Sequence, residues 1–241
     1  MTGGAWQEVV ERVTAGSQAA GLDLVHPFAV GWFNERVSEA ERLDDFNSSG
    51  SLGILIGNSR ELWPPFTRCL ETDPELARAA HPLDRHVEQT TASLLAELEP
   101  IRARAYFAHV TRPRAVPMQR LAEAIGFAGL GPVQLSIHPQ IGPWFAMRAV
   151  LVVDMPGPHS GPPALERPCQ GCSQPCVAPF QRALASSEAL VRPRVLSRRA
   201  VAEHAAEWIA VRDACPVGRD FRYSEDQLAY HYHLKRAPQG S

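Results

Sequence analysis

Four of the five cysteines have a spacing that suits metal or redox chemistry. Cys169, Cys172 and Cys176 lie within eight residues of one another, and Cys215 follows about forty residues later, directly before a proline. Four thiolates can hold a zinc ion or an iron–sulfur cluster. The bacterial ferredoxin run needs a further cysteine four residues after Cys176, where Phe180 stands instead. The pattern therefore leaves three alternatives open: a [4Fe–4S] cluster, a zinc site or unligated thiols.

Arg148 is a second unusual residue, because it stands inside the long apolar run from 144 to 153. Burial removes water from a guanidinium charge, so a buried arginine needs a partner. We therefore expect an anion beside it, which is either a carboxylate of the protein or one of a ligand. Two purely structural explanations of Arg148 are also open. It could form an internal salt bridge, or it could lie on an edge strand from which its side chain reaches solvent.

The elements that must position these residues follow from hydrophobic periodicity and from glycine and proline punctuation. The pattern predicts a β-hairpin in which a strand at 136–138 pairs with the apolar run that ends at residue 153. The other predicted elements are a helix at 6–20, a buried strand at 52–57, a helix from Asp73-Pro74 to Pro100, a strand at 102–110, a helix at 117–127, a Pro- and Cys-rich loop at 155–179 and a helix at 198–214.

Helices and strands alternate without the regular cadence of a doubly wound parallel fold, so we expect the α+β class with an antiparallel sheet. We divide the chain into a core at 1–154, a Pro/Cys-rich segment at 155–181 and a C-terminal helical part at 182–241 that completes the core.

Composition narrows the classes of function. The chain has 241 residues, 45% hydrophobic and 21% charged, with a formal net charge of −2. No basic excess attracts nucleic acid or an anionic membrane. No signal-peptide pattern or membrane-length apolar run occurs, so we expect a cytoplasmic protein without a nucleic-acid or membrane partner. Gly-rich phosphate loops, nucleophile elbows and H-E-x-x-H motifs are also missing from the sequence.

Three blocks of the chain resemble the signature of the vitamin B12-processing family that is disrupted in cobalamin C disease. The first, at 136–148, reads SIHPQIGPWFAMR. The second, at 27–35, reads PFAVGWFNE. The third combines RDA at 212–214 with RYSEDQLAY at 222–230. The blocks keep one order and register, and the resemblance spans roughly residues 24–236.

The resemblance implies a fold akin to the flavin nitroreductases, with a central antiparallel sheet and flanking helices. It also implies a cobalamin-binding enzyme that removes the upper axial ligand of the cofactor, either by reductive decyanation or by glutathione-dependent dealkylation. The implied partners are cobalamin and glutathione or a reductase. FMN as an additional cofactor and a homodimer both stay open.

Site residues are carried over from the family onto matching positions. The arginines that hold the glutathione carboxylates fall on Arg148, Arg212 and Arg236. Guanidinium groups suit this role because they pair with carboxylates through two hydrogen bonds. The corrin contacts fall on Val116, Pro117, Met118, Gln119, Ser136 and Met147. The resemblance implies no catalytic side chain, and the metal ligands would be Cys169, Cys172, Cys176 and Cys215.

Two other classes of function remain as alternatives. One is a carrier that binds cobalamin without reacting and passes it on. The other is a flavin nitroreductase-like oxidoreductase that does not bind cobalamin.

Overall fold

The computed structural model describes residues 4–112, 115–187 and 198–232, and these form two compact units. The first unit contains the described residues up to Phe127 together with Ala146–Leu165. The second contains Ala128–Phe145 together with the described residues from Glu166 onwards. The three-segment division that we drew from composition stays a prediction.

The strands, in chain order, are β1 (Leu24–Ala29), β2 (Ser51–Asn58), β3 (Ala103–Phe107), β4 (Gly129–Leu130), β5 (Ser136–Ile137) and β6 (Ala146–Pro156). The α-helices are α1 (Ala5–Ala19), α2 (Gly31–Asn34), α3 (Trp63–Thr72), α4 (Pro74–Arg78), α5 (Pro82–Glu97), α6 (Met118–Ala124), α7 (Val177–Ser187), α8 (Arg198–Glu203), α9 (Ala205–Asp213) and α10 (Glu225–His231). Short three-ten helices occupy Glu39–Glu41, Arg60–Leu62 and Arg219–Phe221.

A four-stranded antiparallel sheet in the order β1-β2-β6-β3 is the centre of the first unit. Every residue of β2 is buried, as is the stretch of β6 from Ala149 to Val153. Both strands are nearly continuous apolar runs because they occupy the middle of the sheet. Phe28 of β1 lies opposite Gly53 of β2, where the missing side chain leaves room for the aromatic ring. The predicted α+β class with a central antiparallel sheet is confirmed.

Two amphipathic helices, α1 and α5, pack against this sheet and against each other. The buried side chains of α1 recur every four residues at Val9, Val13 and Ser17, which is the spacing of one helical face. The helix α4 begins where predicted, since the Asp73 side chain accepts hydrogen bonds from the backbone N–H groups of Glu75 and Leu76. The strands β2, β3 and β6 and the helix α1 therefore follow from sequence patterns, whereas β1 was not predicted.

The predicted hairpin between 136–138 and the apolar run is wrong. The strand β5 pairs with β4 in a separate two-stranded sheet, and the residues after it close a turn in which His138 and Gly142 exchange two backbone hydrogen bonds. The strand β6 pairs with β2 on one edge and β3 on the other. A strand has only two hydrogen-bonding edges, so no edge of β6 remains for β5.

Two predicted helices are each divided in two. The segment from 74 to 100 forms α4 and α5, because proline lacks an N–H and its ring would clash with the preceding turn, so Pro82 can only begin a new helix. The segment from 198 to 214 forms α8 and α9, since the backbone of His204 leaves the helical region. Within the described part of the chain, no helix is long and apolar enough to cross a membrane.

Two histidines, the half-buried His26 and the buried His86, should make the stability of the first unit depend on pH. His26 and His86 each form a ring hydrogen bond with a backbone carbonyl, that of Ile125 and that of Ala20 respectively. Burial is the main reason that the pKa of both histidines lies below its ordinary value. The unfolded chain therefore takes up protons more readily, and stability is lost as the pH falls through and below the ordinary value for histidine.

We expect the free energy of unfolding to fall between about pH 7.5 and pH 5, with a slope of up to about 1.4 kcal/mol per pH unit for each histidine. Urea unfolding across this range measures the slope. His86→Gln should flatten the curve, whereas His159→Gln, at an exposed position, should leave it unchanged. An equal slope in the wild type and in His86→Gln would contradict the prediction for His86.

Candidate functional site

Four cysteines line one pocket of the second unit, and the sequence had grouped the same four. The other walls of the pocket are mostly proline and aliphatic side chains. All the cysteines are free, and Cys215 is buried whereas Cys169, Cys172 and Cys176 are half-buried. The lining residues are Pro132, Val133, Leu135, Ile137, Pro143, Pro168, Cys169, Cys172, Gln174, Pro175, Cys176, Val211, Cys215, Pro216 and Val217. We call this the thiol pocket.

Two helices hold opposite sides of the thiol pocket. Cys176 immediately precedes α7, and its carbonyl accepts a hydrogen bond from the N–H of Phe180 in the first turn. Cys215 follows the end of α9, and its N–H donates to the carbonyl of Arg212. The helices pack together through a small core in which Val211 and Ala183 are buried. Helix packing therefore brings the fourth thiol to the other three.

The thiols influence one another electrostatically. Burial is the first cause of a raised pKa at Cys169, Cys176 and Cys215, and the charge of neighbouring thiolates raises it further. The N–H of Val217 and the Arg219 guanidinium act in the opposite direction on Cys215. A bound cation would replace this mutual repulsion by attraction. Within the described ranges, however, no three His, Cys, Asp or Glu side chains are arranged to hold one metal ion.

The Arg212 guanidinium lies in a cradle of aromatic rings in the same unit. Its centre is 4.4 Å from the ring centroid of Trp144 and 4.9 Å from that of Tyr223. One terminal nitrogen donates to the carbonyl of Pro143, while Nε is buried without a hydrogen-bond partner. No carboxylate of the described residues pairs with Arg212. We call this group the arginine cradle.

The charge of a neighbouring arginine, Arg222, is neutralised by carboxylates. Arg222 donates to Asp213 at 2.7 Å and to Glu225 at 2.6 Å, and these hydrogen bonds raise the pKa of Arg222. Its guanidinium lies 5.8 Å from the ring centroid of Trp144. Two carboxylates thus neutralise Arg222, whereas the charge of Arg212 has no counterpart. The contrast makes Arg212 a candidate for binding an anion.

Other buried polar atoms near the cradle also lack partners. The Tyr223 hydroxyl has none, although the residue is only 3% exposed. Gln227 is completely buried in α10, and neither its amide oxygen nor its amide nitrogen has a hydrogen-bond partner. Buried polar groups are ordinarily hydrogen-bonded. These atoms therefore indicate that water or a ligand group completes this part of the second unit.

Arg148 lies in the first unit, on β6, where its Nε donates to Oδ1 of Asn58 at 2.7 Å. Asn58 is fully buried at the end of β2, and its amide nitrogen donates to the carbonyl of Ser59. The sequence predicted a carboxylate of the protein or of a ligand beside Arg148. The structure shows a neutral amide as one of its partners, and the expected anion stays a prediction. The amide oxygen satisfies one donor of the guanidinium.

The predicted corrin contacts are divided between the two units. In the first, Val116 is buried, Pro117 and Met118 are half-buried and Gln119 is exposed at the start of α6. Met147, on β6, is half-buried. In the second unit, the Oγ of Ser136 on β5 is buried and has no hydrogen-bond partner. Arg236, the third predicted glutathione ligand, lies outside the described residues, and the assignments of all these residues stay predictions.

Sequence reasoning missed several residues that shape the site. The rings of the arginine cradle, Trp144 and Tyr223, lay inside the recognised blocks but received no role. The sequence held a signal for both, since each is an aromatic residue in a block to which a predicted glutathione-binding arginine belongs. Gly142 and Gly218 were also missed. Both have positive φ angles, and a Cβ on either would overlap the backbone of the other segment.

Comparisons with known proteins agree on the fold. The structure is similar to that of a B12-trafficking protein CblC from C. elegans, a homologue of human MMACHC, with a TM-score of 0.58 and 18% sequence identity over 98% of this chain and 97% of that one. It is also similar to an epoxyqueuosine reductase, with a TM-score of 0.51 and 12% identity over 96% and 69% of the respective chains. No protein-family model and no curated protein matches the sequence. At these identities the likeness establishes a shared nitroreductase-like fold.

The close approach of Gly142 to Val217 and Gly218 predicts a strong effect of a single methyl group. Gly142→Ala would place a Cβ against the Val217 carbonyl at a positive φ angle. We expect a loss of about 2–4 kcal/mol, from overpacking of about 1–3 and a left-handed backbone cost of about 1. Gly171→Ala is the matched control, because its φ is also positive but its Cβ would meet open space. Chemical denaturation of both variants checks this, and equal losses would contradict it.

Proposed function

We propose that this protein binds cobalamin and removes its upper axial ligand, by reductive decyanation or by transfer of an alkyl group to glutathione. The observation that carries the proposal is the uncompensated guanidinium of Arg212 in the arginine cradle. It supports a site for an anionic co-substrate on a fold that is also found in a B12-trafficking protein.

The chemistry of the arginine cradle fits a carboxylate of glutathione. A guanidinium presents donors in a plane that matches a carboxylate, and the buried Nε of Arg212 still has one hydrogen bond to donate. The rings of Trp144 and Tyr223 exclude water and hold the plane of the guanidinium. Binding the carboxylate here would hold the thiol co-substrate in one orientation, which lowers the entropic cost of the transfer.

Cobalamin would supply the cobalt-centred redox and alkyl-transfer chemistry. The residues present fit such a group in one respect that can be observed: Ser136 keeps a buried hydroxyl without a partner at a predicted corrin contact. The half-buried Pro117, Met118 and Met147 offer apolar contact to a corrin face. Val116 and Gln119 complete the set of corrin contacts that we propose.

The same proposal includes residence in the cytoplasm and a reductase partner for decyanation. FMN would be required only in the alternative of a flavin nitroreductase-like oxidoreductase. A carrier without reactivity is the other alternative, and it would need cobalamin binding but no co-substrate site. The uncompensated charge of Arg212 favours the enzyme over the carrier.

Cyanocobalamin should change its absorption spectrum when it is mixed with the protein. The proposal requires the nucleotide tail to be held away from cobalt, so the corrin bands should shift toward the base-off form. The measurement is a visible-absorption titration at saturating protein. An unchanged spectrum would exclude the cobalamin-binding proposal, and a yellow protein that takes up no corrin would support the flavin alternative.

Arg212→Lys should weaken glutathione binding by at least about tenfold, which corresponds to about 1.4 kcal/mol. Lysine keeps the charge but loses the planar donors and the stacking on the rings. The measurement is the KM for glutathione during dealkylation of methylcobalamin, with kcat and corrin binding recorded separately. Arg148→Lys tests the second proposed arginine in the same way.

The control is Arg85→Lys, since Arg85 forms an exposed ion pair with Glu88 at the surface. Its glutathione KM should equal that of the wild type. If Arg212→Lys keeps the wild-type KM while still binding corrin, the arginine cradle is not the glutathione site.

A further inference from the structure

The loop before α7 is organised around its cysteines. Between residues 166 and 176, the only side chains that are not exposed are those of Pro168, Cys169, Cys172 and Cys176. Charged and polar side chains of the same stretch, such as Arg167 and Gln170, are exposed. A loop that buries so little apolar surface gains little stability from the hydrophobic effect. Its three thiols nevertheless all face inward, toward the pocket that also contains Cys215.

The backbone of this loop supports the inward orientation of the sulfur atoms. Gly171 and Gln174 both have positive φ angles, of 77° and 55°, which turn the chain sharply on either side of Cys172. The N–H of Gln174 donates to Sγ of Cys172 at 3.3 Å, and that of Cys172 donates to the carbonyl of Cys169. An N–H that points at a sulfur atom stabilises negative charge on it, as a bound thiolate requires.

The fourth thiol comes from a different part of the second unit. Cys215 follows α9 and is buried, and Arg219 is close enough to influence it electrostatically. A positive guanidinium offsets part of the charge that four thiolates would bring to the site. The walls of the pocket are otherwise mostly proline and aliphatic residues, which reduce the contact of the sulfur atoms with water.

Two kinds of metal centre require different arrangements of their thiolate ligands. A tetrahedral zinc ion binds sulfur at about 2.3 Å, which requires its ligands to stand only about 3.8 Å apart. Among the residues that the structure describes, no three possible ligands are arranged around one ion. In an iron–sulfur cluster each thiolate binds a different iron, so the four sulfur atoms stand farther apart and surround a larger volume. Four thiols from two segments of the chain line one pocket, which suits a cluster in which each thiolate binds a different iron.

We therefore propose that Cys169, Cys172, Cys176 and Cys215 bind a polynuclear iron–sulfur cluster of the [4Fe–4S] type in the thiol pocket. This proposal is independent of cobalamin binding, because it rests only on the thiol pocket and on the loop before α7.

The test is elemental analysis and spectroscopy of the full chain after anaerobic purification and reconstitution with ferrous iron and sulfide. We expect about four iron and four sulfide per chain, a broad visible charge-transfer band and a paramagnetic signal after reduction with dithionite. Cys172→Ala and Cys215→Ala should each lose most of the iron. Cys69→Ala is the matched control, since Cys69 belongs to α3 and does not line the thiol pocket.

Each alternative result overturns the proposal. One zinc per chain would show a mononuclear site, and metal-free protein after reconstitution, with its thiols titratable or joined in a disulfide, would show no metal site. Full iron content in Cys172→Ala and Cys215→Ala would refute the ligand assignment. Circular dichroism identifies variants that fail to fold, and Cys172 lies in a loop where folding should survive. The corrin titration on the same samples separates this outcome from that of the cobalamin proposal.

Discussion

The second unit depends on one close contact between two backbone segments. The turn from 138 to 142 lies against the backbone at 217–218 so tightly that neither Gly142 nor Gly218 has room for a side chain. This contact fixes the segment that carries Arg212 and Cys215 relative to the one that carries Trp144. Together with the packing of α7 on α9, this steric constraint on two glycines positions both candidate sites of the unit.

The thiol pocket and the arginine cradle share a wall. Pro143 lines the thiol pocket, and its carbonyl accepts a hydrogen bond from Arg212. A proline suits this position because it has no N–H that would need a partner in an apolar wall. The two sites differ in chemistry. The thiol pocket offers sulfur atoms that can coordinate a metal, and the arginine cradle offers a positively charged hydrogen-bond donor.

The surroundings of Arg212 differ from those of Arg222 in the charge of their partners. Arg222 is held by Asp213 and Glu225, as an arginine that only stabilises the fold would be. Arg212 instead donates one hydrogen bond to the neutral carbonyl of Pro143, and its guanidinium lies against the rings of Trp144 and Tyr223. Aromatic stacking holds a guanidinium without neutralising it, so the charge stays available to an incoming anion.

The sequence by itself determined the α+β class, the buried central strands and the grouping of four cysteines, because periodicity and residue type act locally and need no knowledge of the remaining fold. It also marked Arg148 and Arg212 through the family resemblance. Only the tertiary structure decided that β5 pairs with β4, since strand partners depend on which edges are already filled. Likewise, the neutral Asn58 beside Arg148 and the rings around Arg212 come from segments distant in sequence. Such contacts have no local signal, because chain topology alone brings their residues together.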